Sequence, residues 1–254
     1  MVKRILVLAS NTLRESIRQR FFLVVFFLGV VFIALSLLLG ELSFDERQRI
    51  LADIGLSVID WCLVSVALFS GSTMMGREIE RQTCLLVLAR PVGRAEFMLG
   101  KFFGVVFVLA LSLFLLYGLL LGLLGSLQSP VGVVIIGLSL LFKSILLLAV
   151  ALCFANVVRP ALSFMAGFSV YILGHWLEDL EFFARKSGED FFEHGVKALA
   201  WLTPNFHRFN WKTWQFLSES VAAVNGWAMT VHTLSWTLAW LLLACLLFAR
   251  RDIV

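Results

Sequence analysis

Charge is scarce in this sequence, and reactive side chains are scarcer. Only 15% of its 254 residues are Asp, Glu, Lys or Arg, against about 25% in a soluble globular domain. Together with 60% hydrophobic residues and a mean hydropathy of +0.93, this excludes a water-soluble core and leaves apolar surface that must face lipid. Proline is limited to four residues, so long helices can run without interruption. Cys62, Cys84, Cys153 and Cys245 lie in or beside apolar runs with no C-x-x-C pairing, which excludes a disulfide framework or a zinc site and leaves small hydrophobes. His175, His194, His207 and His232 lack metal-ligand spacing, and no H-E-x-x-H occurs. Neither does a phosphate-binding G-x-x-x-x-G-K-[ST]. The nearest approach, from Gly93 to Lys101, has too many residues between its glycines and continues into Phe102. The chain therefore binds no metal or nucleotide cofactor of its own by these motifs. Its net charge of +4 comes from basic residues flanking apolar runs and reports membrane topology, not a nucleic-acid partner.

The apolar runs predict an all-α polytopic membrane protein, a single transmembrane domain over residues 1–254 with six spans at 21–40, 54–76, 102–125, 131–155, 161–177 and 227–249. An acidic loop through Asp53 separates the first two, and residues 156–160 form a tight basic turn. Residues 2–20 read as an amphipathic helix at the membrane surface, with Val2, Ile5, Leu6, Ala9, Leu13, Ser16 and Ile17 on one arc and Lys3, Arg4, Arg14, Glu15 and Arg18 opposite. Val7 and Leu8 break that pattern, and a merely basic tail is the plainer alternative. No cleavage site follows the first apolar run, so no removable signal peptide is expected. With both termini cytoplasmic, 13 Lys and Arg fall inside and seven outside, as the positive-inside rule requires. Outside, residues 178–225 should form short re-entrant or interfacial helices, one over 177–186 and one over 193–202, broken at Ser187-Gly188 and Pro204-Asn205. The aromatics there suit interfacial anchoring, with substrate gating as the alternative.

Two ionisable residues remain inside spans, Asp60 and Lys143. A charge at the bilayer centre costs about 2.5–3.5 kcal/mol. Either the two pair, or Asp60 lies near the interface while Lys143 snorkels. Gly118 and Gly122 form a G-x-x-x-G, read as packing within the chain ahead of a dimer seam.

The strongest signal is the cytoplasmic loop over residues 77–101. Its apolar stretch 84–89 is too short to span and suits a short surface helix offering Leu85, Leu86 and Leu88 to a partner. Arg90-Pro91 ends that helix, because the residue before proline is pushed out of the α region. Residues 94–101 then lead into the third span. The pattern Glu78-x-Glu80-x-x-Thr83, Arg90-Pro91-Val92-x-Arg94 and Gly100-Lys101-x-x-Gly104 resembles the signature of type-2 ABC exporter permeases. It is most similar to the branch with copper-enzyme maturation and gliding-motility permeases, and Pro204-Asn205 resembles a recurrent pair of their outer region.

That resemblance implies a permease dimer, of two copies or of homologous permeases, carrying two cytoplasmic P-loop ATPase subunits in a bacterial cytoplasmic (inner) membrane. ATP and magnesium would be bound by those partners and no cofactor by this chain, which would not itself be an enzyme. Glu78, Glu80, Arg81 and Thr83 would contact the ATPase, with Leu85 and Leu88 packing against it. Arg90 and Pro91 would set the exit angle, and Arg94 and Lys101 would sit near lipid headgroups. Cargo is not encoded by any polar stripe; the apolar lining suits lipid-like, peptide-like or drug-like molecules. Two other classes remain open: a membrane enzyme using Asp60 or outer-face histidines, and a scaffold recruiting cytoplasmic proteins without ATP-driven transport.

Overall fold

Runs of about 20 apolar residues without proline can satisfy their backbone polar groups in lipid only as helices, and helices are what the chain forms. The computed structural model describes residues 2–41, 47–80, 93–125, 130–187, 190–210 and 226–250. In order these are α1 (Val2–Ile17), α2 (Arg20–Glu41), α3 (Arg47–Glu80), α4 (Arg94–Leu124), α5 (Pro130–Ala155), α6 (Pro160–Ser187), α7 (Asp190–Leu202), a 3-10 turn at His207–Phe209, and α8 (Gly226–Arg250). There is no strand among the described residues. Six of the helices are long and apolar enough to cross a membrane: α2, Arg47–Met74 of α3, α4, Val131–Ala155 of α5, α6 and α8. The all-α polytopic expectation therefore holds, and the differences lie at helix ends.

Helix α3 starts at Arg47, so Asp53 lies inside it and the acidic loop is shorter than expected. Arg47 reaches Glu41 at 2.6 Å, closing the α2–α3 connection and letting the helix begin at once. Helix α4 starts at Arg94 and includes what reads from sequence as a lead-in. The Gly93 carbonyl accepts from Phe97 N–H at 3.0 Å, and Glu96 Oε2 accepts from Gly93 N–H at 3.3 Å, so the first turn is capped. Helix α6 runs unbroken to Ser187, where a separate helix over 177–186 was expected. No glycine or proline interrupts residues 175–187, and Gly174, Leu177 and Ala184 continue one buried stripe.

Helices α3 and α5 form the centre. Every residue from Leu146 to Leu152 is fully buried, as befits a helix that is apolar all round and surrounded by others. Helix α3 packs on α2, α4, α5 and α6, while α8 packs chiefly on α5. Helices α2, α6 and α8 keep broad exposed apolar faces, for example Phe27, Met165 and Leu242. Helix α7 leaves Phe191, Trp201 and Leu202 uncovered and carries a Lys197–Glu193 pair at 2.6 Å. The Lys197 ammonium donates to the Glu193 carboxylate, and that hydrogen bond, with the lysine's charge, holds the Glu193 carboxyl below its usual range.

Helix α1 packs on α4 through most of the apolar arc read from the sequence, with Ile5, Leu13 and Ile17 of that arc half-buried. Ala9, Thr12 and Ser16 are buried, Leu8 is half-buried, and Leu6, assigned to the arc, is exposed together with Val7. The reason is the surface of α4. A Cβ on Gly100 would come within 2.6 Å of Leu8 Cβ, and one on Gly104 within 2.8 Å of the Ala9 carbonyl and into Thr12. Only glycine admits α1 this closely. Gly118 and Gly122, in contrast, have nothing beyond their own helix within 4 Å of where a Cβ would stand, among the described residues. The expected internal packing of that G-x-x-x-G is thus overturned, and the glycine pair that packs two helices is Gly100 and Gly104.

Gly104→Leu is expected to lower stability by about 1–3 kcal/mol, the usual cost of forcing volume into a close contact, whereas Gly118→Leu should leave it unchanged. Thermal unfolding of the two purified variants compares them, and equal melting temperatures would show that α1 is not seated on α4.

Candidate functional site

Helix ends leave backbone groups without partners inside the helix, and in this chain charged side chains gather at them. The start of α4 is such a place. Arg94 Nη1 donates to the Ala249 carbonyl at 2.7 Å and to the Phe248 carbonyl at 3.4 Å, two of the last carbonyls of α8. One turn on, Phe97 and Phe248 are both fully buried and stack with ring centroids 6.1 Å apart. Arg4 of α1 lies 3.8 Å from Glu96. Lys101 is buried beneath α1, its ammonium 3.5 Å from Glu15 and 5.7 Å from the Phe97 ring centroid. At the end of α5, Asn156 Nδ2 donates to the Leu152 carbonyl at 2.9 Å and to the Ala244 carbonyl of α8 at 3.4 Å. Four helices, α1, α4, α5 and α8, are tied together at the end of the bundle that carries the N-terminal helix.

Of the two basic residues expected near headgroups, Lys101 is covered by α1, while Arg94 is exposed and caps α8. The cause is the glycine face of α4, which brings α1 over Lys101. Glu78 and Glu80 lie in the last turn of α3, with their side chains outside the described residues, as are Arg81, Thr83, Leu85, Leu88, Arg90 and Pro91 in full.

The second polar centre lies within the spans. Lys143 of α5 and Asp60 of α3 are each 2% exposed, and the ammonium stands 2.6 Å from both carboxylate oxygens. Of the two readings left open by the sequence, the pair is the one formed. Tyr171 of α6 covers it, its ring centroid 5.6 Å from the Lys143 ammonium. Above Tyr171 sit His175, at 4.7 Å between ring centroids, and Phe206, at 6.0 Å. Phe206 is fully buried and enters a notch at Gly174, where a Cβ would run into its ring and into the Pro204 carbonyl. Phe206 N–H donates to the Gly174 carbonyl at 2.9 Å. Glu178 holds the same turn from outside, accepting from Asn205 Nδ2 at 3.2 Å and lying 3.3 Å from His207 Nε2. His207 N–H in turn donates to Asn205 Oδ1 at 2.9 Å. Phe209 continues the aromatic chain to His232 of α8, at 6.1 Å.

Sequence reasoning named Asp60, Lys143 and Arg94 but missed Tyr171, Gly174 and Asn156. It counted Phe206 and Phe209 among the interfacial aromatics of the outer segment, whereas both are buried, because Gly174 leaves a notch for Phe206. A usable signal existed for Tyr171, one of only two tyrosines in a chain whose apolar positions are otherwise filled by Phe and Leu. Gly174 and Asn156 act through contacts with distant residues and leave no local mark. Among the described residues no three His, Cys, Asp or Glu side chains gather to hold a metal ion. Between α2 and α3 a groove of about 330 Å³ is lined mainly by apolar side chains, Val25, Leu28, Phe32, Val58 and Trp61, with Cys62 and Ser65 beside them.

The arrangement is one of ties between helices. It links helices at two ends of a bundle and holds one ionic tie between its two central helices. In comparison with protein families, the model described as ABC-2 family transporter protein matches residues 6–253. Comparison with curated proteins finds no match.

Asp60→Asn should strand the Lys143 charge and destabilise the protein by about 3–5 kcal/mol, whereas Asp60→Leu with Lys143→Met should recover most of that loss. Unfolding of the single and double variants measures the coupling; strictly additive losses would rule out the pair.

Proposed function

The chain belongs to the ABC-2 family of transporter proteins, and on that premise we propose that it exports cargo by using ATP hydrolysis in separate ATPase subunits. It is a membrane permease component of an ABC transporter. The finer reading assigns it to a dimer, of two copies or of homologous permeases, with two P-loop ATPases on the cytoplasmic side of a bacterial inner membrane. ATP and magnesium belong to those partners. Within the family, the run from Glu78 to Gly104 is closest in pattern to the copper-enzyme maturation and gliding-motility branch.

One observation carries the mechanical part of this reading. Helix α4 is continuous from Arg94, where the chain returns to the bundle after the segment beyond α3, to Leu124. A displacement at its start therefore travels the whole span, because a helix without proline bends little. Helix α1 is seated on its first turns by Gly100 and Gly104 and moves with them. The α1 end is assigned to the cytoplasm, since residues 1–20, the loop over 77–101, Arg159, Arg250 and Arg251 hold 13 of the Lys and Arg. In this scheme residues 77–89 meet the ATPase through Glu78, Glu80, Arg81, Thr83, Leu85 and Leu88, and Arg90 and Pro91 set the angle at which the chain returns. ATP binding closes the ATPases and draws the loops together, and α4 turns that approach into a shift of the spans.

Affinity purification from the native membrane is expected to bring down a P-loop ATPase, and its absence would overturn the reading. Glu80→Arg combined with Leu85→Asp should weaken ATPase binding at least about tenfold, a change of about 1.4 kcal/mol, with the permease still folded. Undiminished binding would put the docking surface elsewhere. An ATPase that binds but drives no ATP-dependent transport would leave a scaffold.

A further inference from the structure

Helix α8 touches both polar centres, and the reading so far uses it in neither. Its inward stripe, Met229, Thr233, Thr237, Leu241, Ala244 and Phe248, is buried along the full length of the helix. No glycine or proline follows Gly226 within it, so it has none of the usual causes of a kink. At one end its last carbonyls accept from Arg94, and Phe248 stacks on Phe97. At the other end His232 meets Phe209, which meets Phe206 at 6.2 Å. Phe206 rests on Tyr171, and Tyr171 on Lys143. The residue that begins α4 is thereby joined by one unkinked helix to the turn at 203–210 that closes over the buried ion pair.

We infer that α8 is a second output of the coupling loop, with Arg94 as the positioning residue that ties the two helices. Movement entering at residues 93–94 divides there. One part passes along α4. The other draws on the end of α8 and slides that helix along α5, shifting His232 against Phe209 and loosening or seating Phe206 in its notch. Packed helices slide by such shear motions in discrete steps. The chemistry at Arg94 suits this role: a guanidinium presents several donors in a fixed plane and can hold two carbonyls at once. A lysine reaches the same carbonyls as a single flexible point charge.

This inference rests on the ATP-driven reading above, and two probes separate them. In the permease–ATPase complex in lipid nanodiscs, with native cysteines replaced by alanine, spin labels at Arg185→Cys and Arg208→Cys report the 203–210 turn against α6. Labels at Ser10→Cys and Arg159→Cys report the α1 end. Distances are compared without nucleotide and after trapping with ADP and vanadate. Both pairs are expected to respond with Arg94 intact. Arg94→Ala should keep the ATPase bound and the α1-end response intact, while the outer response falls at least about twofold, the low end of effects along a coupling route. Arg94→Lys should restore part of it, and Phe97→Leu should repeat the loss in milder form. An outer response that Arg94→Ala leaves unchanged would overturn the inference. So would an outer pair that stays silent with Arg94 intact while the α1-end pair responds, an outcome that leaves the ATP-driven reading standing. Silence of both pairs would overturn both.

Discussion

Lipid tails are as apolar as leucine, so burial alone gives two membrane helices little reason to associate; close backbone approach and polar ties must do it. In this chain that constraint is met at a few glycines. Gly71 faces Ala151 and the Leu148 carbonyl between the two central helices, Gly167 faces Leu68, and Gly100 and Gly104 admit α1 to α4. Where such contacts occur, helices are fixed in relation to one another. Elsewhere the faces of α2, α6 and α8 carry large exposed side chains and are left to lipid. The architecture follows from where approach is possible more than from where hydrophobicity is greatest.

The Asp60–Lys143 pair works against the same background. Taking two charges out of water is expensive, and their attraction offsets this only when geometry is good and the remaining donors and acceptors find partners. The short bidentate contact and the Tyr171 ring over the ammonium supply such geometry. A tie of this kind is costly to leave half-made, so α3 and α5 are held in one register relative to each other. Its position beneath Tyr171 and Phe206 places it under the one outer turn that enters the bundle among the described residues, where a change of helix register would be felt first.

The two polar centres have different mechanical characters. The knot at the start of α4 joins four helices through end-capping groups and a buried phenylalanine pair, a construction that passes displacement on with little loss. The outer turn is held by one ring in a glycine notch, one backbone hydrogen bond and a half-exposed carboxylate shared by Asn205 and His207. Those are fewer and more solvated contacts, the kind that open at low cost.

Much of this was legible in the residues. Six spans follow from run length, because about 20 apolar residues are needed to cross the hydrocarbon and few other constraints produce such runs. The charged loop, the two ionisable residues inside spans and the lack of any energy-transducing motif are likewise local properties. Partnership is not. G-x-x-x-G occurs at 100–104 and at 118–122 with the same spacing, and only the fold determines that the first is covered and the second bare. Helix α1 shows the same limit: its apolar arc predicts a membrane face, but the glycines of α4 take up most of that arc, burying Ala9 and Ser16 together with Thr12. Composition and periodicity thus decided that the chain is a helical membrane bundle with a charged loop between its second and third spans. Tertiary structure decided that Lys143 meets Asp60 across 83 residues and that Arg94 caps a helix 155 residues away. Such contacts depend on how helices are placed side by side, and a linear pattern describes one helix at a time.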